Sequence, residues 1–258
     1  MAGSFGASIL VLAPHPDDEV VACAAAIGRA RTEGAKLAVL FLTHGCVGRE
    51  VVWPWDRGRY ETIVARRRSE AEAAAALLGV AIAGVSERPA RTLWRELPRA
   101  EAEVRRAAAS VGADQLWAPA FEGGNPDHDG ANAVASRLAA EGLPGLEFAE
   151  YNFAGGRPRS HAFPAANGTE TILALTPAEQ AAKRAALGLY RSERRNLSYV
   201  RTEHEAFRPL TAHDYAQPPH PGKLWYARFQ WVPFRHPAVD FTDPRDVTRT
   251  LSDYVAAK

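Results

Sequence analysis

Residues 8–19 read SILVLAPHPDDE, an apolar run that passes directly into a polar, acidic segment. The run SILVLA has the length and the apolar character of a strand buried on both faces, and it stops at Pro14. From residue 18 to about residue 31 the pattern becomes helical, and acidic side chains open it where the positive end of a helix dipole favours them. A buried strand that leads straight into a helix predicts an α/β fold.

The same alternation continues along the chain. We predict further strands at residues 36–43, 80–85, 114–118, 146–153 and 171–175, and helices at residues 61–78, 97–111, 130–141 and 177–190. Gly79 follows the helix at 61–78, in the position where a left-handed C-terminal residue is common. Apolar strands that alternate with amphipathic helices predict a mostly parallel sheet covered by helices on both faces.

The second half of the chain is less regular than the first. Residues 224–241 read LWYARFQWVPFRHPAVDF, which we interpret as a strand pair that closes the fold or as an oligomer contact. No repeat, low-complexity tract or linker interrupts the chain. We therefore expect one domain over residues 1–258, with a core at 1–155 and a C-terminal part at 156–258 that completes the fold and the site.

The composition is that of an ordinary globular protein, with 258 residues, 47% hydrophobic and 24% charged. The formal net charge of +1 creates no overall field for nucleic acid or an anionic membrane, so we expect neither as a partner. Cys23 and Cys46 are too few for a disulfide framework or a cysteine-based zinc motif. No signal peptide or membrane span is recognisable, which predicts a cytoplasmic protein. Oligomerisation is compatible with the sequence but not indicated by it.

A histidine and three acidic residues follow the first strand, at the sheet edge where active sites of parallel α/β folds collect. His15 and Asp18 can converge on one divalent ion, because imidazole and carboxylate are standard ligands for such ions. Asp17 lies between them and can point at a water molecule beside the metal. The alternative is that Asp17, Asp18 and Glu19 only cap the helix, but a histidine next to three acids favours a metal site.

A second polar cluster, APAFEGGNPDHDG at residues 118–130, follows the fourth predicted strand and leads into a helix. His128 in this cluster supplies a third ligand beside His15 and Asp18. Two histidines and one carboxylate with an open fourth position are typical of catalytic zinc, because water or substrate must occupy the remaining place. Pro-Asp-His alone would be a weak signal, whereas the two clusters together predict a zinc site.

These motifs resemble the LmbE-like, or PIG-L-like, zinc deacetylases. APHPDDE at residues 13–19 is similar to the family's AHPDDE, and GGNPDHDGAN at residues 123–132 is similar to its later HPDH. Arg67 and Glu70 resemble the R-x-x-E helix of the family, which ends in Leu-Gly. The second half of the chain resembles the family only loosely, through KRAALGLYRSE at residues 183–193.

The resemblance implies a Rossmann-like three-layer sandwich in which His15, Asp18 and His128 hold zinc. It also implies that Asp17 is the general base that takes a proton from the attacking water, and that Arg67 helps to hold a polar substrate. Known members remove N-acetyl groups from glucosamine conjugates or cleave related amides. We therefore expect a zinc-dependent hydrolase that removes an N-acetyl or other N-acyl group from an amino-sugar conjugate or a related small amide.

The sequence departs from the family at Asn125, which stands where HPDH begins with a histidine. In the family that histidine is thought to stabilise the tetrahedral oxyanion and to assist protonation of the leaving group. An asparagine amide can donate a hydrogen bond to an oxyanion, worth about 2–4 kcal/mol, but it cannot transfer a proton at neutral pH. Either Asp17 carries the proton both ways or another residue takes part, and His44, at the end of the second strand, is our candidate.

Three further features carry weaker predictions. Trp53 and Trp55 lie in an aromatic, arginine-rich loop after the second strand, and they either form a wall against the substrate or pack beneath the loop. Asp129 is either an outer partner of a ligand histidine or a helix cap. The remaining histidines lack ligand-like neighbours in the sequence, so we expect structural or surface roles for His161, His204, His213, His220 and His236.

Two other functions compete with a deacetylase. Asn125 is compatible with a metal-binding protein that has lost turnover, although such a protein has little use for Asp17. A metal-dependent phosphoesterase could use the same acidic cluster. However, one metal with three ligands suits a two-metal displacement poorly, and a glycine-rich phosphate loop is missing from the sequence.

Overall fold

The structure, a computed structural model, describes residues 5–234 and 236–257. Its strands and helices follow one another as β1 (Ser8–Ala13), α1 (Asp18–Thr32), β2 (Lys36–Phe41), α2 (Tyr60–Leu78), β3 (Ala81–Val85), α3 (Leu97–Val111), β4 (Gln115–Pro119), α4 (Pro126–Ala140), β5 (Gly145–Phe148), β6 (Tyr151–Asn152), β7 (Arg159–Ser160), β8 (Thr171–Ala174), α5 (Pro177–Leu187), β9 (His204–Pro209) and α6 (Pro244–Ala256).

Seven strands form one sheet in the order β3-β2-β1-β4-β5-β9-β8. β1 pairs in parallel with β2 and β4, and parallel pairing continues to β3 on one side and to β5 on the other. β9 runs antiparallel between β5 and β8. Because the chain moves outward from β1 to β3 and then returns to β4, the strand order reverses between β1 and β4. Both predicted polar clusters follow these two strands, and such reversals are where α/β sheets bind their ligands.

Helices cover both faces of this sheet. Successive side chains of a strand point to opposite faces, so Leu10 and Leu12 of β1 join one apolar core and Ile9 and Val11 join the other. The first core also contains side chains of α3, α4 and α6, and the second contains side chains of α1, α2 and α5. The predicted three-layer α/β sandwich with a mostly parallel sheet is confirmed.

Most predicted elements agree closely with the structure, and Gly79 has the expected left-handed conformation, with φ 66°. α4 begins at Pro126 rather than at residue 130. The reason is that the Asn125 side chain accepts a hydrogen bond from the N–H of Asp127 and thereby caps the helix. The strand predicted at 146–153 ends at Phe148, because β6 leaves the large sheet and pairs with β7 instead.

The strand pair predicted for residues 224–241 is wrong. In the described parts of this segment, 224–234 and 236–241, the backbone forms turns and no strand. Proline at positions 233 and 237 removes two of the N–H donors that a strand ladder would need. Leu224 and Tyr226 are nevertheless buried in the core that contains α4 and α6, so the segment closes one end of the fold without strand pairing. No helix in the described residues is both long and apolar enough to cross a membrane.

Candidate active site

Three side chains converge where the strand order reverses. His15 follows β1, Asp18 begins α1, and His128 lies in the first turn of α4. Nδ1 of His15 lies 3.3 Å from Nε2 of His128, and each of these nitrogens lies 3.4 Å from Oδ2 of Asp18. All three residues are buried, and together they form a candidate metal site.

The spacing of the three atoms fits a zinc ion. Nitrogen and oxygen ligands at bond lengths of about 2.0–2.1 Å in a tetrahedron lie about 3.3–3.4 Å apart, which matches the 3.3 and 3.4 Å found here. The local field also favours a cation. Burial alone would lower the pKa of His15, but the charge of Asp18 and a hydrogen bond to Asp127 outweigh it and raise the pKa to about 10.

An outer carboxylate orients His15, and the sequence analysis did not identify it. Nε2 of His15 lies 3.1 Å from Oδ2 of Asp127, and Asp127 also accepts hydrogen bonds from the backbone N–H groups of Arg91 and Leu93. When Nδ1 binds a metal ion, the ring proton must be on Nε2, where Asp127 accepts it. The available signal was the place of Asp127 inside the NPDH motif, directly before a ligand.

Asn125 and Asp129 fix the loop that leads into α4. Oδ1 of Asn125 accepts the N–H of Asp127 at 2.9 Å, so Nδ2 remains as the donor of this amide. Oδ1 of Asp129 accepts the N–H groups of Glu122 and Gly123, at 3.2 and 3.1 Å. Asn125 is half-buried and Asp129 is buried. Support of a ligand histidine by Asp129 stays a prediction, and the hydrogen bonds that we find for it run to the loop.

Asp17 lies between the two ligands of the first motif and is 7% exposed. Its φ of 131° lies in the region that favours glycine, and such a conformation costs about 1–3 kcal/mol. Its N–H donates to Oε2 of Glu19, and its carbonyl accepts the N–H groups of Val20 and Val21, which holds the turn. Burial raises the pKa of Asp17 to about 7, although the charge of Arg67 opposes this. A carboxyl group with a pKa near neutrality can accept a proton and return it.

Arg67 is 2% exposed and lies between two acidic side chains. Its Nη2 is 2.9 Å from Oδ2 of Asp17, and its Nη1 is 2.6 Å from Oε1 of Glu193. The hydroxyl of Ser192 donates to Glu70, the other end of the R-x-x-E motif. The two parts of the sequence that resemble the family, around residues 67–70 and 183–193, are therefore joined directly. A role of Arg67 in holding substrate stays a prediction.

His44 follows β2 and is 5% exposed. Its Nδ1 accepts the N–H of Cys46 at 3.2 Å, and its Nε2 lies 3.4 Å from the hydroxyl of Tyr60. Burial lowers the pKa of His44, which favours the neutral ring. In the described part of the chain, the side-chain hydrogen bonds of His44 stay within its own loop and the start of α2. Its part in catalysis stays a prediction.

The loop after β2 carries two stacked tryptophans. The rings of Trp53 and Trp55 stack with centroids 5.0 Å apart and planes 11° from parallel. Trp53 also lies 5.1 Å from the ring of His236, in the C-terminal segment. Trp55 is 71% exposed, so its ring is not packed beneath the loop.

A second aromatic group stands on the side of His128. The ring of Tyr151 lies 5.5 Å from that of His128, and the rings of Tyr199 and Trp225 each lie 5.1 Å from Tyr151. The guanidinium of Arg228 lies 3.4 Å over the Trp225 ring. The sequence analysis missed this group, because its members come from three separate segments of the irregular second half.

The fold and the buried His/Asp/His cluster define an α/β protein with a candidate metal site at the reversal of its strand order. The family model for PIG-L, described as GlcNAc-PI de-N-acetylase, matches residues 10–139. The chain belongs to this PIG-L, or LmbE-like, deacetylase family. Comparison with curated protein sequences finds no significant match.

Solved structures of similar fold include two of a deacetylase and one of a hydratase. The deacetylase–bog complex from teicoplanin biosynthesis is 18% identical, with a TM-score of 0.63 over 80% of this chain and 99% of that one. A zinc-inhibited form of teicoplanin deacetylase is 16% identical, with a TM-score of 0.58 over 80% and 99%. The 4-carboxy-2-hydroxymuconate hydratase of Pseudomonas putida is 18% identical, with a TM-score of 0.52 over 81% and 98%. Since one fold carries both activities, the reaction has to be argued from the site.

Proposed function

We propose that this protein is a zinc-dependent N-deacetylase that hydrolyses the N-acetyl, or another N-acyl, amide of an amino-sugar conjugate or a related small amide. The observation that carries the proposal is the triangle of ligand atoms from His15, Asp18 and His128, with the buried carboxyl of Asp17 beside it. Membership of the PIG-L family supports the reaction. The zinc-inhibited form of a structural neighbour supports zinc binding to this fold, and the choice of zinc as the catalytic ion rests on the ligand set of this chain.

Nδ1 of His15, Oδ2 of Asp18 and Nε2 of His128 would hold the ion. When bound, zinc supplies a Lewis acid that polarises the amide carbonyl and lowers the pKa of water towards about 7. Asp127 keeps the ring proton of His15 on Nε2, which leaves Nδ1 available as a ligand.

Asp17 moves the proton. Its carboxylate takes a proton from the water whose oxygen attacks the carbonyl carbon. The C–N bond of the amide then breaks, and the protonated Asp17 returns the proton to the departing nitrogen, so that water and amide give a carboxylic acid and an amine. Arg67, 2.9 Å from Asp17, orients the carboxylate and favours its charged form.

Asn125 is our candidate for the donor to the developing oxyanion. The capping hydrogen bond uses Oδ1 and therefore fixes the plane of the amide, with Nδ2 as the free donor group. A preorganised donor of this kind is worth about 2–4 kcal/mol in a tetrahedral transition state. Because the amide carries no transferable proton, the mechanism requires Asp17 to act as both base and acid.

His44 is a second candidate for protonation of the leaving group. His44 follows β2 at the same sheet edge as His15, which supports a role in protonating the leaving group. Against this role, its ring contacts Cys46 and Tyr60. A His44→Ala variant with unchanged turnover and an unchanged pH profile would exclude this role.

The aromatic groups on both sides of the site favour a substrate with a ring face, such as a sugar. The segment that leads to Trp53 and Trp55 begins near the site, because the Cys46 carbonyl accepts the N–H of Ala90 and the next residue, Arg91, donates its N–H to Asp127. An exposed, stacked indole pair presents a flat apolar surface to a ring. We propose that Trp53 and Trp55 form a wall of the substrate site.

We also propose one domain over residues 1–258. Leu251 and Tyr254 of α6 pack in the same core as Leu10 and Leu12 of β1. Such core contacts between the first strand and the last helix favour a single folding unit.

One set of turnover assays on two proteins tests the proposal. Zinc-loaded protein and its Asp17→Ala variant are incubated with N-acetylglucosamine conjugates, simple N-acyl amides and phosphate esters, and free amine is detected with fluorescamine. We expect amine release that requires both zinc and Asp17. Phosphate release instead would establish a phosphoesterase. Tight zinc binding without turnover of any amide would establish a metal-binding protein that has lost activity.

A further inference from the structure

Glu150 is a buried carboxylate that the mechanism above does not use. It lies two residues after the end of β5 and is 0% exposed. Neither of its carboxylate oxygens has a hydrogen-bond partner among the described residues. A buried polar group without a hydrogen-bond partner is expensive. Proteins retain such groups where function requires them.

The main chain holds Glu150 firmly in place. Its N–H donates to Oε1 of Glu122 at 2.8 Å, and its carbonyl accepts the N–H of His161 at 2.9 Å. Glu122 in turn accepts the N–H of Tyr151 and the side-chain amide of Asn152. The side chain of Glu150 is therefore directed by a fixed backbone, and its lack of partners does not arise from a loose loop.

The nearest basic atom to this carboxylate belongs to a ligand of the candidate metal site. Oε1 of Glu150 lies 3.7 Å from Nδ1 of His128, and this nitrogen is also buried and without a hydrogen-bond partner in the described structure. The other nitrogen of the same ring, Nε2, faces His15 and Asp18. Burial, followed by the charge of nearby Asp18, raises the pKa of the Glu150 carboxyl well above its usual range, and this carboxyl can accept a hydrogen bond in either protonation state.

We infer that Glu150 is the positioning residue for His128 and accepts the hydrogen of Nδ1 when the site binds zinc. The metal requires the lone pair of Nε2, so the ring proton must be on Nδ1. An acceptor opposite Nδ1 selects that tautomer and fixes the ring plane. Charge-assisted hydrogen bonds measure about 2.7–2.9 Å, so the pair needs a shift of under about 1 Å. Asp127 does the same for His15, at 3.1 Å.

This inference rests on the proposed zinc site, and its test measures zinc binding rather than activity. Zinc-free wild-type protein, Glu150→Leu and Glu150→Gln are titrated with Zn²⁺ against a chromophoric chelator. Loss of an outer partner typically weakens metal affinity by about 10–100-fold, so we expect that loss for leucine. Glutamine can still accept from Nδ1–H through its carbonyl oxygen, and we expect it to restore affinity to within about five-fold of wild type.

A second readout separates positioning from a structural role. Glu150 lacks a hydrogen-bond partner among the described residues. We therefore expect the zinc-free Leu and Gln variants to melt no lower than wild type, with a rise of up to about 2–4 °C. The matched control is Glu147→Gln on β5. Glu147 is equally buried but bonded to Arg208, His213 and Asn132. The Glu147→Gln substitution should lower the melting temperature and leave zinc affinity unchanged.

The outcomes distinguish this inference from the proposed function. A wild-type protein that fails to bind zinc overturns the proposed zinc enzyme. Tight wild-type binding with an unchanged Glu150→Leu variant overturns only the role of Glu150. Equal losses for the Leu and Gln variants, with an altered Co²⁺ absorption spectrum, would make Glu150 a metal ligand and would also overturn its positioning role.

Discussion

Nη2 of Arg67 lies 2.9 Å from Oδ2 of Asp17, and both side chains are at least nine-tenths buried. Removal of one partner from a buried ion pair leaves an uncompensated charge. We therefore expect Arg67 to orient Asp17, the residue that we propose as the proton carrier. The family resemblance implies a different role, in which Arg67 holds the substrate.

Steady-state kinetics distinguish these two roles of Arg67. We expect Arg67→Met to lower kcat about 100-fold, because a misplaced catalytic group costs about that much, while KM changes little. The control is Arg68→Met, whose side chain is 41% exposed and pairs with the exposed Glu87. A rise in KM at unchanged kcat would show instead that Arg67 binds the substrate.

The cap and the proposed oxyanion donor at Asn125 can be separated by two substitutions. Asn125→Asp keeps an acceptor for the N–H of Asp127 and therefore the cap, but it removes the Nδ2 donor. We expect kcat to fall about 100–1,000-fold with little change in the melting temperature. Asn125→Ala should lose both the cap and the donor, and loss of the cap should cost about 1 kcal/mol of helix stability. Full activity in the Asp variant would rule out Asn125 as the donor.

Trp55 should affect substrate binding without affecting stability. Its ring is 71% exposed, so Trp55→Ala should leave the melting temperature unchanged. Loss of ring stacking worth about 0.5–1.5 kcal/mol should raise KM for a sugar conjugate about 2–12-fold. Ile172→Ala, at a 58% exposed position of β8, is the control and should leave KM unchanged. Identical KM values for Trp55→Ala and wild type would contradict a wall at this position.

The ion pair between Glu179 and Arg29 predicts an acid-dependent loss of stability. Nε of Arg29 lies 2.6 Å from Oε1 of Glu179 and joins α1 to α5. This hydrogen bond lowers the pKa of Glu179 from 4.5 to about 2. The unfolded chain therefore takes up the proton first, and the contribution is present above about pH 4.5 and is lost as the pH falls towards about 2.

Solvent screening limits this contribution to about 1 kcal/mol or less, because both side chains are partly exposed. Urea unfolding of wild type and Glu179→Gln at pH 7 and pH 3 should show a difference between the two proteins that shrinks at pH 3. Glutamine retains the capping box with Thr176, so the helix start is preserved. A difference that stays the same at both pH values would refute the linkage.

The ligand triangle could be predicted from the sequence because its members lie directly after two buried strands. His15 and His128 follow β1 and β4, which are neighbours in the sheet, so parallel pairing alone brings them to one edge. The sheet and the two helical layers could also be predicted, because the apolar runs and helical patterns in the first half of the chain are long and regular.

The outer partners are harder to predict, because their contacts depend on the tertiary structure even where, as for Asp127, the residue stands next to a ligand in the sequence. Asp127 is locked by the backbone of residues 91 and 93, and Glu150 reaches His128 only because β5 ends beside β4. Residues 224–241 look strand-like in composition, but their prolines and their burial against α4 and α6 decide their conformation. The local sequence pattern carries little information about the contacts of the outer carboxylates or about the conformation of residues 224–241.

The segment of residues 224–241 reaches both sides of the site, from Trp225 beside Tyr151 to His236 beside Trp53. The ligands and the proton carrier come from other parts of the chain, at residues 15–18 and 128. If the proposed function holds, the C-terminal segment contributes to the surroundings of the site while the residues of the reaction come from other stretches of sequence. We expect insertions or substitutions in the C-terminal stretch to change the size of substrate admitted while the proposed reaction stays the same. That arrangement gives this fold a route to diversify its substrates.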